Sequence, residues 1–233
     1  MNLTIDPRIF DQYPGTLIGV VTLQGIDNGG ELGEIDSLLR EAEQVAMQQV
    51  GSIPITEHPH IACWREAYRK FGAKPKKYPS SIENLVRRVS AGEQVRHINK
   101  LVDIYNVISL RYLLPVGGED IDKILGDIRL TIAGENEPAV VLLGENEARP
   151  PYVNEVIYTD DLGAICRRWN WKEADRTKLT EATTNACIVI EAIPPVKRTE
   201  LEQALADLSA LIKQFCGGTH QVAILDSQLL STK

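Results

Sequence analysis

A chain of 233 residues, 43% hydrophobic and 24% charged, can bury a core of its own without disulfide or metal staples. This composition excludes disordered and collagen-like chains, and no apolar run approaches the ~20 residues of a membrane-spanning helix. The net charge of −7 is unevenly spread: residues 65–100 carry ten basic and three acidic side chains, an excess of +7 that leaves −14 for the remainder.

In chain order, residues 17–26 are β-branched and bounded by Gly15 and the turn Asn28-Gly29-Gly30, which predicts a strand. Leu32, Ile35, Leu38, Leu39, Ala42, Val45 and Ala46 recur at helical spacing, with Gly51 as the stop. A short helix is expected over 60–71. The prolines of Lys74-Pro75-Lys76-Lys77-Tyr78-Pro79 then forbid continuous helix. Ser80-Ser81-Ile82-Glu83 has capping-box spacing. It opens a helix with Ile82, Leu85, Val86 and Val89 inward and Arg87 and Arg88 outward. A third helix is expected over 98–112.

The second half changes character. Residues 127–133, 139–143, 153–159, 163–169 and 185–193 are short apolar or alternating runs, which predict a mixed or antiparallel sheet. Thr199-Glu200-Leu201-Glu202 has capping-box spacing before a helix striped by Leu201, Leu205, Leu208, Ile212 and Phe215, and Gly217 suits its C-terminus. Residues 221–226 are expected as a final strand. The fold class is α+β, with sheet packed against helices. One unit is expected over 1–233, in which a strand-helix extension (1–55) joins the core (56–233).

Cys63, Cys166, Cys187 and Cys216 are scattered, and the N-terminus lacks a basic region followed by an apolar one. Reduced thiols in a cytoplasmic protein are therefore expected. The Pro-flanked pair His58 and His60 lacks the paired-ligand spacing of structural zinc, so neither metal nor cofactor is expected. No P-loop, dinucleotide fingerprint or nucleophile elbow is present, and no catalytic residue is assigned. The basic window admits two readings, a polyanion site or two solvated helix faces.

Three segments stand out. Asn99, Asp103 and Asn106 share one face of the third helix, as solvated surface or as a buried polar network. In Cys166-Arg167-Arg168-Trp169-Asn170-Trp171, two Arg beside two Trp suit phosphate and a base. The alternative is one core Trp with strand-surface charges, strand alternation setting Trp169 and Trp171 opposite Arg168 and Asn170. Glu191 ends an apolar run. The period of two places it with Val189 and Cys187, either pointing into a pocket or at a strand end in solvent.

In this order, Ile98-Asn99-Lys100-Leu101-Val102-Asp103-Ile104-Tyr105-Asn106, Thr183-Thr184 and Ile190-Glu191-Ala192 resemble the B3/B4 domain of the phenylalanyl-tRNA synthetase β subunit. The match spans roughly residues 60–215. Phe71-Gly72-Ala73-Lys74-Pro75 and the segment 166–171 look like features of freestanding B3/B4 proteins. The resemblance implies a B3/B4-like fold and editing of a mischarged aminoacyl-tRNA in trans, by hydrolysis of its ester. The alternative is a non-catalytic module that binds RNA or an amino acid.

On this reading Glu191 inherits the glutamate that recognises the amino acid. Thr184, Gly117, Gly118, Asn99, Asp103 and Asn106 complete the substrate contacts. Arg167, Arg168, Lys74, Lys76, Lys77, Arg87 and Arg88 hold tRNA. The family also has a functional histidine after the asparagine helix. The corresponding stretch here, Leu114-Pro115-Val116-Gly117-Gly118-Glu119-Asp120, lacks it.

Overall fold

Two sheets carry the fold, and the computed structural model describes them within residues 1–232. The chain runs through β1 (Leu3–Ile5), α1 (Pro7–Gln12), β2 (Leu17–Gln24), α2 (Gly33–Val50), α3 (Pro59–Lys70), α4 (Ser81–Ser90) and α5 (Lys100–Tyr112). The short strands follow: β3 (Val116–Asp120), β4 (Ile128–Ile132), β5 (Val140–Val141), β6 (Ala148–Arg149), β7 (Val156–Thr159), β8 (Ala164–Arg167) and β9 (Lys172–Glu173). It ends with β10 (Asn185–Ala192), α6 (Arg198–Phe215) and β11 (Thr219–Leu225). This is α+β.

The four-stranded sheet is antiparallel, in the order β11-β2-β10-β3. The five-stranded sheet, β1-β4-β7-β8-β9, is mixed, because β1 pairs parallel to β4. The first 55 residues thus contribute strands to both sheets. Alternation along β2 and β10 builds two cores at once. Val21, Leu23, Ile188 and Ile190 face α5 and α6, where Ile104, Ile108, Leu205 and Leu208 meet them. Ile18, Val20, Cys187 and Val189 face the other sheet, against Leu3, Ile128, Tyr158 and Ile165. A further apolar cluster joins α2, α3, α4 and α5. Gly19 lets α6 lie close, since a Cβ there would stand 2.8 Å from Leu205.

Three local expectations are corrected. Helix α6 starts earlier than the Thr199 box predicts. Its N-cap is Lys197, whose amide donates to Glu200 Oε1 at 2.9 Å, so Thr199 lies inside the first turn. Only half of the Ser80 box forms. Ser80 Oγ accepts from the Glu83 amide, but the Glu83 carboxylate is drawn away to Arg65 and Arg87, each at 2.6 Å. The strand expected over 163–169 ends at Arg167, because Arg168 and Trp169 take φ of 50° and 65°. Strand alternation therefore does not govern 168–171. The elements β1, α1 and β3 were not anticipated, although α1 has an ordinary start in the Asp6 cap followed by Pro7.

Candidate ligand site

Strands β3 and β10, helix α5 and the segment 165–173 line a cavity of about 220 Å³. At ~30 Å³ per water in the liquid, that is room for roughly seven waters or one small organic group. Its walls are mostly apolar, including Leu3, Val116, Ile128, Ile165, Trp169 and Val189. Three glutamates break that lining: Glu119, Glu173 and Glu191.

Glu191 is 1% exposed. The period of two in β10 turns it between the sheets, on the same side as Cys187 and Val189, and all three line the cavity. Tyr158 Oη donates to Glu191 Oε1 at 2.6 Å, and Asn170 Nδ2 donates to Oε2 at 2.5 Å. Asn170 is itself oriented by Tyr68, whose hydroxyl donates to Oδ1 at 2.8 Å. The turn created by the positive φ values of Arg168 and Trp169 delivers Asn170 to this position. Burial pushes the Glu191 carboxyl up to about 7, against Tyr158, Asn170 and the Trp169 indole, each of which favours its ionised form. A carboxylate can accept more bonds than Tyr158 and Asn170 supply, and Glu191 lines the cavity.

The other two glutamates lie at the β3 edge. Gly118 donates its amide to Glu173 Oε1 at 3.2 Å. Gly117 makes room for that carboxylate, since a Cβ there would sit 2.9 Å from the same oxygen. Burial raises Glu173 to about 7. Glu119 is 7% exposed, and its Oε2 has no hydrogen-bond partner. Burial first, and the Glu173 charge second, push its carboxyl well above the ordinary range, against the Thr177 hydroxyl and the Arg176 charge. No ion pair joins Glu119, Glu173 or Glu191 to a cation among the described residues. Cys166 and Cys187, on the same wall, are held as thiols by burial.

Of the residues singled out in the sequence, Glu191, Gly117, Gly118 and Asn106 line the cavity. Asn99, Asp103 and Thr184 do not. Asn99 caps α5, accepting from the Val102 amide at 3.0 Å. Asp103 is fully buried beside it, accepting from the Ile98 amide at 3.1 Å and lying 3.0 Å from His97 Nδ1. The three polar residues do share a helix face, but seven residues of helix span ~10 Å, so only the Asn106 end reaches the cavity. Thr184 is exposed before β10, while its neighbour Thr183 is the buried one, donating to Asp120 Oδ2 at 2.8 Å. Sequence reasoning assigned no role to Glu173, Tyr158, Asn170 or Tyr68, which are gathered from separate elements.

The basic residues divide. Arg167 and Arg168 are buried, each 3% exposed. Arg167 grips Glu155 with both prongs, Nε at 2.9 Å and Nη2 at 2.7 Å. Arg168 lies over the rings of Tyr78, at 3.8 Å, and Trp171, at 4.4 Å. Arg87 pairs with Glu83. Lys74, Lys76, Lys77 and Arg88 are exposed. Lys74 and Lys77 border a second cleft of about 350 Å³ that also contains Tyr78, Tyr152 and Arg168. Among the described residues, no His, Cys, Asp and Glu cluster of three or more is suited to a metal, and no helix is long and apolar enough to cross a membrane.

Residues 63–217 match the family described as the B3/4 domain. A protein of Bacillus subtilis (strain 168) named Uncharacterized protein YhzB is 19% identical over 222 residues, which are 95% of this chain and 98% of that protein. The crystal structure of an N-terminal fragment of the phenylalanyl-tRNA synthetase β-subunit from Pyrococcus horikoshii is similar with a TM-score of 0.49 and 13% identity. The alignment covers 96% of this chain and 54% of the fragment, so this chain spans about half of that structure's length.

Proposed function

We propose, from the premise that this chain belongs to the B3/4 domain family, that it is a synthetase-related module that edits aminoacyl-tRNA in trans by hydrolysing the ester of a mischarged tRNA. The observation that supports this most directly is the cavity of about 220 Å³ with the Glu191 carboxylate on its wall, held by Tyr158 and Asn170. A space of that size suits one aminoacyl side chain. Glu191, which can accept more bonds than Tyr158 and Asn170 supply, is placed to accept from a hydroxyl or other donor on it.

In the reaction a water adds to the ester carbonyl, and the C–O bond to the terminal ribose breaks. The free amino acid and the ribose hydroxyl leave. The neighbouring ribose hydroxyl is available to assist, and no protein base is assigned. The Gly118 amide is a poor candidate for polarising the carbonyl, because it already donates to Glu173. The exposed Lys74, Lys76, Lys77 and Arg88 are the phosphate contacts this reading favours. Arg167, Arg168 and Arg87 would act from behind them by shaping the surface.

A second reading, a binding module without turnover, is favoured by the same Gly118 hydrogen bond and by Val116-Gly117-Gly118 standing where the family's histidine is expected. The experiment that separates them is a deacylation screen. Purified protein, substoichiometric to substrate, meets a panel of correctly and incorrectly charged tRNAs, beside Glu191→Ala. Editing predicts multiple turnover on a mischarged species and altered selectivity or rate in the variant. Binding without release from any tRNA, by folded protein, would leave the binding module as the better account.

A further inference from the structure

Glu173 is deep within the molecule yet partly accessible, because its side chain faces the internal cavity. Gly117 and Gly118 are shaped around it, one by leaving space and the other by donating an amide. Glu119, on the same wall, presents a buried Oε2 with no hydrogen-bond partner. A polar atom buried and unpaired is uncommon in native structures and asks for a partner. The nearby cations are otherwise engaged: Lys172 with Glu145 at 2.8 Å, and Arg176 with Asp160 at 2.6 Å. Among the described residues the cavity's one lining cation, Lys172, is thus held by Glu145, and three carboxylates remain unpaired, an arrangement complementary to a small positive ligand.

We infer that Glu173, backed by Glu119, is a subsite for a protonated amine, so that the cavity takes an α-amino acyl group by its ammonium as well as by its side chain. The inference rests on the proposed reading for the acyl half, whereas amine recognition is independent of turnover. An ammonium offers three donors, which suit the Glu173 carboxylate and the unpaired Glu119 oxygen. It supplies the counter-charge that Lys172, held by Glu145, does not give these carboxylates. The same logic disfavours an amino acid whose amine is blocked, and so separates a free aminoacyl ester from a peptidyl one.

The test is direct binding by calorimetry at pH 6.5. A panel of L-amino acid methyl esters is paired with des-amino counterparts. The expected result is at least one ester that binds tenfold or more tighter than its des-amino partner. Glu173→Gln should erase that preference while leaving the des-amino compound's affinity unchanged. The glutamine retains an oxygen to accept from Gly118, and Glu119→Gln provides a second variant if the first is poorly folded. Binding should also release protons, seen as a heat that depends on the buffer, because a cation favours the ionised carboxylates.

Equal binding of the two members of every pair, or no binding of any ester, would overturn the inference. So would saturable binding of magnesium or calcium alone that Glu173→Gln abolishes, which would make the site one for a metal ion. Amine preference without deacylation would retain this subsite and discard editing. Deacylation without amine preference would do the reverse.

Discussion

The turn at 168–171 separates two ways of burying charge. On its outer side, Arg167 and Glu155 neutralise one another through two hydrogen bonds, and Arg168 is caged between the rings of Tyr78 and Trp171. On its inner side, Glu119, Glu173 and Glu191 line one cavity without an ion pair among the described residues, the lining Lys172 being engaged by Glu145. Paired charge over-determines local structure, whereas unpaired charge in a confined space holds protons and awaits a partner. Charge thus serves architecture on the outer side and, on our reading, ligand recognition on the inner side.

The sharpest way to break the contrast is to remove one member of the paired side. Arg167→Met leaves the buried Glu155 carboxylate only the Arg168 and Tyr152 amides and the Arg168 guanidinium at 3.9 Å, at an expected cost of about 3 kcal/mol in urea unfolding. A second substitution, Glu155→Leu, should recover part of that loss, because the under-paired charge is gone while the Tyr152 and Arg168 amides lose their acceptor. A loss below about 1 kcal/mol for the single variant would mean that water reaches the pair and solvates the orphaned carboxylate.

The inner side should respond with the opposite sign. Glu191 is raised to about 7 from an ordinary value of 4.5 by burial. Its folded form holds the proton more tightly than the unfolded chain does. Its contribution to stability is therefore fully present below about pH 4.5 and lost as pH rises through 7. Glu191→Gln should stabilise the protein by about 3 kcal/mol at pH 8 and by about 1 kcal/mol at pH 5, since a shift of one unit is worth ~1.4 kcal/mol. The amide fits without strain: Asn170 still donates to its oxygen, and the Tyr158 hydroxyl rotates to accept from its nitrogen. Unfolding midpoints across pH 5–8 test this, and parallel curves for the two proteins would refute it. Tyr158→Phe should act in the reverse sense. It removes a donor that favours the ionised form, so the Glu191 midpoint should move above 7 in a titration followed by carboxyl infrared absorption.

Much of this was legible in the sequence, and what was not follows a pattern. The periodicities at 33–50, 81–90 and 100–112 locate helices because each buries a continuous apolar stripe. Alternation in 185–192 orients Glu191, because strand geometry admits only two faces. Glu173 escaped notice because its strand has two residues, too short for any period, and its position depends on Gly117 and Gly118 more than fifty residues earlier. Asn170 was placed on the wrong geometry, because left-handed φ at Arg168 and Trp169 is uncommon for such residues and tertiary packing imposes it. Trp169 supplies that packing. It is fully buried, edge-on to Trp64 at 5.1 Å and Tyr13 at 4.9 Å. A run of Arg and Trp therefore advertised a surface for nucleic acid while both Arg were being folded inward.

The smallest effect sharpens the comparison within the basic residues themselves. Arg168 stacks on two rings, leaves Nη1 without a hydrogen-bond partner and reaches Glu155 only at 3.9 Å, so Arg168→Lys keeps the charge and forfeits mainly stacking, about 1 kcal/mol of stability. Its guanidinium is too buried to meet a phosphate directly. If RNA binds, that variant should leave the slope of log affinity against log salt unchanged. Lys74 and Lys77 border the cleft that Arg168 also lines, Lys76 is exposed between them in sequence, and replacing all three by Ala should reduce the slope by ~0.7–0.9 for every phosphate they neutralise. Equal slopes for wild type and the triple variant would move the RNA surface elsewhere. A slope that fell only in Arg168→Lys would show that the aromatic cage opens to admit the phosphate, and the division between structural and ligand-facing charge would have to be redrawn on the outer side of the turn.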